Sequence, residues 1–223
     1  MNAADHKQIV TVDVVLLTLR EGRLAVGLVA RENPPFKAQM ALIGGYVRSA
    51  EDHSAEATAT RVLREKTGLE GFFLEQLATF SGPDRDPRGW SVSIAYLALT
   101  PWSRLGGPVS RDARLKVVPV QALPDLPFDH GQILAAALER LRGKGAYSTL
   151  PAGLIDEPFT LTELQKVYEV ALGQPRLDKS SFRRKLTELN LVEPVGARRT
   201  DTGGRQAQLY RLKSGVGVFD RRI

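Results

Sequence analysis

Apolar residues fall along this chain in two rhythms. Ile9 to Leu19 and Leu24 to Ala30 are β-branched and aliphatic runs parted by Glu21-Gly22, which predicts two strands joined as a hairpin. A helical pattern follows from about Ala55 to Thr67 and stops at Gly68, a natural C-cap. Leu74 to Phe80, Ser91 to Leu99 and Leu115 to Val120 read as further strands. A second helix, His130 to about Arg142, carries Ile133, Leu134, Ala137, Leu138 and Leu141 at helical spacing. No internal repeat or low-complexity tract interrupts this mixed α/β pattern.

Gly143-Lys-Gly-Ala then breaks the rhythm, and Tyr147 to Pro158, rich in Pro and Gly, reads as an irregular linker. The expected division is a domain over 1–146, a linker over 147–158 and a small domain over 159–223. Thr160-Leu-Thr-Glu163 has the form of a capping box, with Phe159 and Leu164 placed as a hydrophobic staple. That helix is predicted to run to about Leu172 and end at Gly173. Asp178 is placed to cap another, Lys179 to Leu189.

In the last of these helices Phe182, Leu186 and Leu189 share one face. At about 100° per residue Ser180, Arg184 and Thr187 project from the opposite side, with Arg183 flanking. A solvated amphipathic helix would show the same face. The sequel tips the balance: Leu191 to Val195 and Ala207 to Leu212 pair as a hairpin whose tip, Gly196 to Arg205, holds Arg198, Arg199 and Arg205. Helix, turn, basic helix and basic-tipped hairpin make a winged helix-turn-helix, with donors for base edges and phosphates. The residues expected to meet DNA are Lys179, Ser180, Ser181, Arg183, Arg184, Thr187, Arg198, Arg199 and Arg205.

Charge changes this picture only by sharpening it. The chain of 223 residues carries a formal +6, and residues 151–223 hold 13 Lys and Arg against 9 Asp and Glu. A basic C-terminal third suits a polyanionic partner. The absence of cysteine excludes disulfides, thiolate catalysis and cysteine-based zinc sites. No apolar run reaches the roughly 18 residues of a membrane helix, and the opening residues lack the layout of a secretion signal. A cytoplasmic protein without membrane association is expected. His6, His53 and His130 are expected in structural or solvent roles, and no Walker-type phosphate loop is present.

Two motifs in the first domain carry chemistry. Gly44-Gly45-Tyr-Val-Arg, then Glu51, then Arg61-Val-Leu-Arg-Glu65-Lys66-Thr-Gly68-Leu69 resembles a Nudix box, the loop–helix–loop that holds a nucleotide diphosphate through divalent metal. Arg61, Leu63, Glu65, Gly68 and Leu69 match the family pattern, while Glu51 lies two residues too far from Arg61. Val62 and Lys66 stand where the family places metal-binding glutamates. A lysine there opposes a cation by about 4 kcal/mol per unit-charge pair at about 4 Å and a dielectric near 20. No bound metal, no catalytic residue and no required cofactor are therefore expected. Pro83-Asp-Arg85-Asp86-Pro87-Arg88-Gly89-Trp90 looks like the arginine loop of ADP-ribose-handling Nudix proteins, where guanidinium forks suit a diphosphate and Trp90 would pack on adenine or ribose. Pro34-Pro35-Phe36-Lys37 and Ala41 to Gly44 echo the family's segment before the box. The expected ligand-binding residues are Arg31, Lys37, Arg61, Glu65, Arg85, Asp86, Arg88 and Trp90.

Together the two halves resemble the Nudix-related transcriptional regulators of NAD metabolism, the NrtR family. The likeness extends from about Thr11 to Leu212 and is most specific at Phe159 to Tyr168, Phe182 to Leu186 and Gly204 to Arg211, where Gln206 replaces the usual proline. It implies an α+β chain: a Nudix α/β/α sandwich followed by a winged helix-turn-helix. It further implies a homodimeric repressor on a palindromic DNA operator near NAD biosynthesis or salvage genes, controlled by ADP-ribose or a related nucleotide. An active ADP-ribose pyrophosphatase with an accessory tail, and a sugar-responsive Nudix-type regulator, are the competing readings.

Overall fold

The computed structural model describes residues 8–71, 73–111, 114–174, 176–200 and 206–213. Contacts divide the chain into two compact units. One is built mainly of residues 25–100 and 104–137, with the first strand up to Thr18; the other comprises 138 onward together with 19–24 and 101–103.

The first unit is organised by a six-stranded sheet in the order β4-β5-β1-β3-β2-β6. Its strands are β1 (Ile9–Arg20), β2 (Arg23–Ala30), β3 (Met40–Tyr46), β4 (Phe73–Gly82), β5 (Ser91–Leu99) and β6 (Leu115–Pro119). β1 is the axis, and a run of seven buried residues, rather than an alternation, shows that both of its faces are covered. It runs parallel to β5 from Ile9–Ser91 to Leu17–Leu99 and antiparallel to β3 from Thr11–Tyr46 to Val14–Ile43. Its pairing with β2 follows from the turn, where Glu21 at φ 53° and Gly22 at φ 71° give the doubly left-handed geometry of a tight hairpin.

Two elements were not legible in the hydrophobic pattern. β3 carries Gly44-Gly45 just before its last residue, a pair that reads as loop but is a place of close approach. A Cβ on Gly44 would lie 2.2 Å from Asp13 Oδ1, and one on Gly45 would lie 2.9 Å from the Val62 side chain. The other is α2 (Trp102–Arg111), whose Gly106-Gly107-Pro108 should discourage a helix. Burial of Leu105 outweighs that weak local preference. α1 (Ala55–Thr67) matches its expected bounds, with Ser54 Oγ accepting the Ala57 N–H and Gly68 left-handed at its end. α3 (His130–Gly145) runs three residues past its expected end.

In the second unit, α4 (Leu161–Leu172) has the full capping box: Glu163 N–H donates to Thr160 Oγ1 at 3.1 Å and Thr160 N–H to Glu163 Oε2 at 2.7 Å. α5 (Lys179–Glu188) is capped by Asp178, whose Oδ1 accepts the Ser181 N–H; that donor holds the carboxyl below its usual range. β7 (Val192–Thr200) and β8 (Gln206–Leu212) pair antiparallel, with an irregularity between Pro194 and Arg198. Phe159, Leu164, Tyr168, Leu172, Phe182 and Leu186 form the core.

The stretch 147–158 is not the irregular linker its composition suggested. Leu150–Leu154 forms a 3₁₀ helix with Leu150, Pro151, Ala152 and Leu154 buried, and Tyr168 Oη donates to Ser148 O at 2.9 Å. Phe159 then exchanges both backbone hydrogen bonds with Tyr210, at 2.9 and 2.8 Å, adding itself to β8. The proline and glycine here shape a packed turn. The α+β class read from the sequence is the one observed.

Candidate functional site

The first unit holds a cavity of about 530 Å³. Its wall is built from β1 (Thr11, Asp13), the end of β2 and the turn after it (Val29 to Pro34), β3 (Ala41 to Tyr46), α1, the 85–88 loop, and Phe128 with His130. Six cationic side chains line it (Arg31, Arg48, Arg61, Lys66, Arg85, Arg88) against four acidic ones (Asp13, Glu32, Glu65, Asp86), a surplus of two positive charges. Such a concavity suits a small anion-bearing ligand.

Of the residues singled out from the sequence, Arg31, Arg61, Glu65, Arg85, Asp86 and Arg88 line this cavity; Lys37 and Trp90 do not. Lys37 is an exposed turn residue between Phe36 and Ala38, both at positive φ. Trp90 is 48% exposed because Ser91, the next residue, is buried, and neighbours at the start of a strand point to opposite faces. Asp13, Tyr46, Phe128 and His130 are wall residues that the sequence reading did not assign.

The cationic groups differ in how free they are. Arg85 is 7% exposed, grips Asp129 with two bonds of 2.9 and 2.8 Å, and lies 3.7 Å from Asp13. It is a strut of the floor more than a free donor. Asp13 accepts from Ser93 Oγ at 2.6 Å, and its other oxygen lies 3.5 Å from His130 Nε2. Because Leu42 N–H donates to His130 Nδ1 at 3.1 Å, the ring proton is placed on Nε2, toward Asp13. Burial works to raise the Asp13 pKa, but His130, Ser93 and Arg85 together hold it below its ordinary value. His130 thus has a structural partner on either side while forming part of the wall.

Arg61 is another strut. It binds Asp52 through two bonds of 2.8 Å and Tyr46 O at 2.9 Å, and reaches Glu65 at 3.3 Å. These contacts drive Asp52 far below the usual carboxylate range and Arg61 above its own. Arg88 pairs with Asp86 at 2.6 Å and donates to Tyr46 Oη. Arg31 stacks on Phe128 with its guanidinium 4.6 Å from the ring centre, and Arg88 lies 6.0 Å from the same ring. Burial and the neighbouring Arg88 charge lower the Arg31 pKa, as expected where cations crowd.

The family resemblance implies a divalent metal at the box helix, and the residues present do not fit one. Magnesium takes carboxylate oxygens and water. Val62 is aliphatic and 1% exposed, and Lys66 Nζ faces Glu32 at 4.0 Å. Glu65 is already engaged by Arg48 at 3.0 Å and by Arg61. Among the described residues no group of three or more His, Asp or Glu side chains is placed to hold an ion.

In the second unit α5 buries Phe182 and Leu186 and exposes Lys179, Ser180, Ser181, Arg183, Arg184 and Thr187. Leu189, expected on the buried face, is instead the C-cap and 41% exposed. Arg183 Nη2 donates to Thr162 Oγ1 at 3.2 Å, and Arg184 lies 3.8 Å from Glu188. In the hairpin Arg198 is exposed. Arg199 is turned back onto α4, donating to Glu163 Oε1 at 2.9 Å and Pro158 O at 3.0 Å. Arg205 lies outside the described residues. No helix among these residues is long and apolar enough to cross a membrane.

Known proteins place both units. Residues 7–141 match the NUDIX domain, and residues 151–212 match the NrtR DNA-binding winged helix domain. The "ADPR responsive transcriptional repressor NtrR" of Acinetobacter baylyi is 40% identical over 206 residues, covering 92% of this chain and 82% of that protein. The crystal structure of Shewanella oneidensis NrtR complexed with a 27mer DNA superposes with a TM-score of 0.90 at 40% identity, over 97% of this chain and all of that one. The NUDIX domain of the Shewanella protein complexed with ADP ribose matches at 39% identity and a TM-score of 0.54, over 60% of this chain and 88% of that chain.

Proposed function

The chain belongs to the NrtR family, and from that premise we propose that it is a transcriptional repressor whose grip on DNA is controlled by ADP-ribose bound in the Nudix cavity. The observation that carries the reading is the pairing of two unlike surfaces in one chain. One is a cavity with a cationic surplus; the other is a helix with Phe182 and Leu186 buried and Ser180, Arg184 and Thr187 exposed on the other side. A cationic cavity suits a nucleotide diphosphate better than a neutral sugar. The exposed face of α5 suits the major groove, with Arg198 on the neighbouring hairpin toward phosphate.

We extend the reading to a homodimer on a palindromic operator of NAD biosynthesis or salvage genes, with ADP-ribose releasing the DNA. Ligand can do this only by binding better to the arrangement that holds DNA poorly. A gel-shift titration of the adjoining promoter, with and without ADP-ribose, tests it directly. Expected is tight duplex binding with a log–log salt slope of roughly −0.9 per phosphate neutralised, weakened by ligand. An affinity indifferent to ADP-ribose refutes the control.

Residue changes separate the two kinds of contact. Arg184→Ala is expected to cost about 1–3 kcal/mol on the operator and little on random duplex. Arg198→Ala is expected to weaken both alike and to flatten the salt slope by about one. Catalysis is not part of the proposal, given Val62, Lys66 and the ion-paired Glu65. Robust magnesium-dependent hydrolysis of ADP-ribose that Glu65→Gln abolishes would overturn that exclusion.

A further inference from the structure

Along the cavity face of α1 and in the turn before it, the acids are held by close arginines, while one cation has only a distant partner. Glu65 receives both Arg48 and Arg61, and Asp52 is held by Arg61. Val62 is sealed against Gly45. One helical turn further, Lys66 lines the cavity with its side chain 32% exposed. Its nearest carboxylate oxygen, on Glu32, is 4.0 Å away, beyond hydrogen-bond distance, and the other oxygen of Glu32 is bonded by Arg114. Arg31 and Arg88, also on the cavity wall, share the ring of Phe128, and of the two only Arg88 is held by a close carboxylate, that of Asp86.

Resting on the ADP-ribose reading above, we propose that Lys66 is the resident cation of this site: its ammonium binds the ligand's pyrophosphate directly, and recognition needs no divalent metal. A pyrophosphate diester carries two negative charges, which match the surplus of two positive charges on the cavity wall. A lysine brings a compact charge with three donors on a flexible stem, so it can close the 4.0 Å gap to Glu32 or turn instead to a phosphate oxygen. The same substitution that makes the helix unfit for a metal thus makes it fit for the anion alone. Lys66 is assigned here as a ligand-binding residue beyond those read from the sequence.

Isothermal calorimetry of the full chain with ADP-ribose, once in EDTA and once in magnesium, tests this. The wild-type affinity is expected to agree within about twofold between the two buffers. Lys66→Met is expected to weaken binding by about tenfold or more in both, the loss of one charge-assisted contact. Lys66→Arg, which keeps the charge, is expected to stay within about threefold of wild type. A tenfold fall in wild-type affinity on chelation, or Lys66→Met binding as tightly as wild type, overturns the assignment. Absence of wild-type binding in both buffers instead overturns the ADP-ribose reading beneath it, so the two failures are told apart.

Discussion

Gly44 has no room for a side chain, and that shortage fixes the floor of the cavity. Its hydrogen lets β3 pass over the carboxylate of Asp13, which holds Ser93 and faces His130. Gly44→Ala is expected to destabilise the fold by roughly 1–3 kcal/mol through overpacking, read as a lower unfolding midpoint. Asp52 offers a pH test. Its folded pKa is depressed by Arg61, so the stability it contributes is present above the unfolded carboxylate value and is lost as pH falls toward the folded one. Between about pH 5 and about pH 2 the wild-type melting temperature is expected to fall more steeply than that of Asp52→Asn; equal slopes would refute the linkage. At this scale the sequence was partly readable. A lone charge in the run Ile9 to Leu17 marks Asp13, because a buried carboxylate needs partners. Its partners Ser93, His130 and Arg85 lie some 70 to 120 positions away, and nothing local points to them.

Helix ends were the most legible elements, since their chemistry is confined to three or four consecutive residues. Thr160 with Glu163, and Asp178, each cap as their types suggest, and Gly68 and Gly173 each terminate a helix in the left-handed region; the Ser54 cap of α1 was found only in the structure. β3 and α2 were hidden because tertiary contacts, at Gly44 and Leu105, decide them. The hairpin shows how an element acquires a second task. Glu163 closes the cap of α4 with one oxygen and holds Arg199 with the other. Glu163→Gln keeps a side chain able to cap but removes the charge facing Arg199. Expected is a loss of about threefold in affinity for any duplex, with helix content and the salt slope unchanged, in keeping with a half-exposed ion pair. A gain in affinity with a steeper slope would mean that Arg199 reaches phosphate once released.

At the scale of the molecule, function follows from a division of charge. The first 150 residues carry 18 Lys and Arg against 16 Asp and Glu, and the rest carry 13 against 9. Six of the first set line one cavity, four of them in close ion pairs, while the second leaves an exposed helix face. Ligand binding to the folded chain is expected to raise its unfolding free energy by about 2.7 kcal/mol at a hundredfold excess over Kd, measurable as a shift in melting temperature. A melting temperature unmoved by saturating ADP-ribose would contradict the ligand assignment. The hairpin anchored by Glu163 and by the Phe159–Tyr210 bridge carries a kinetic corollary. A DNA reader whose recognition helix and hairpin strands already pack on one core spends little time ordering them on its target. Its on-rate should be governed by ionic strength and diffusion, and operator preference should be written almost wholly in how long the complex lasts.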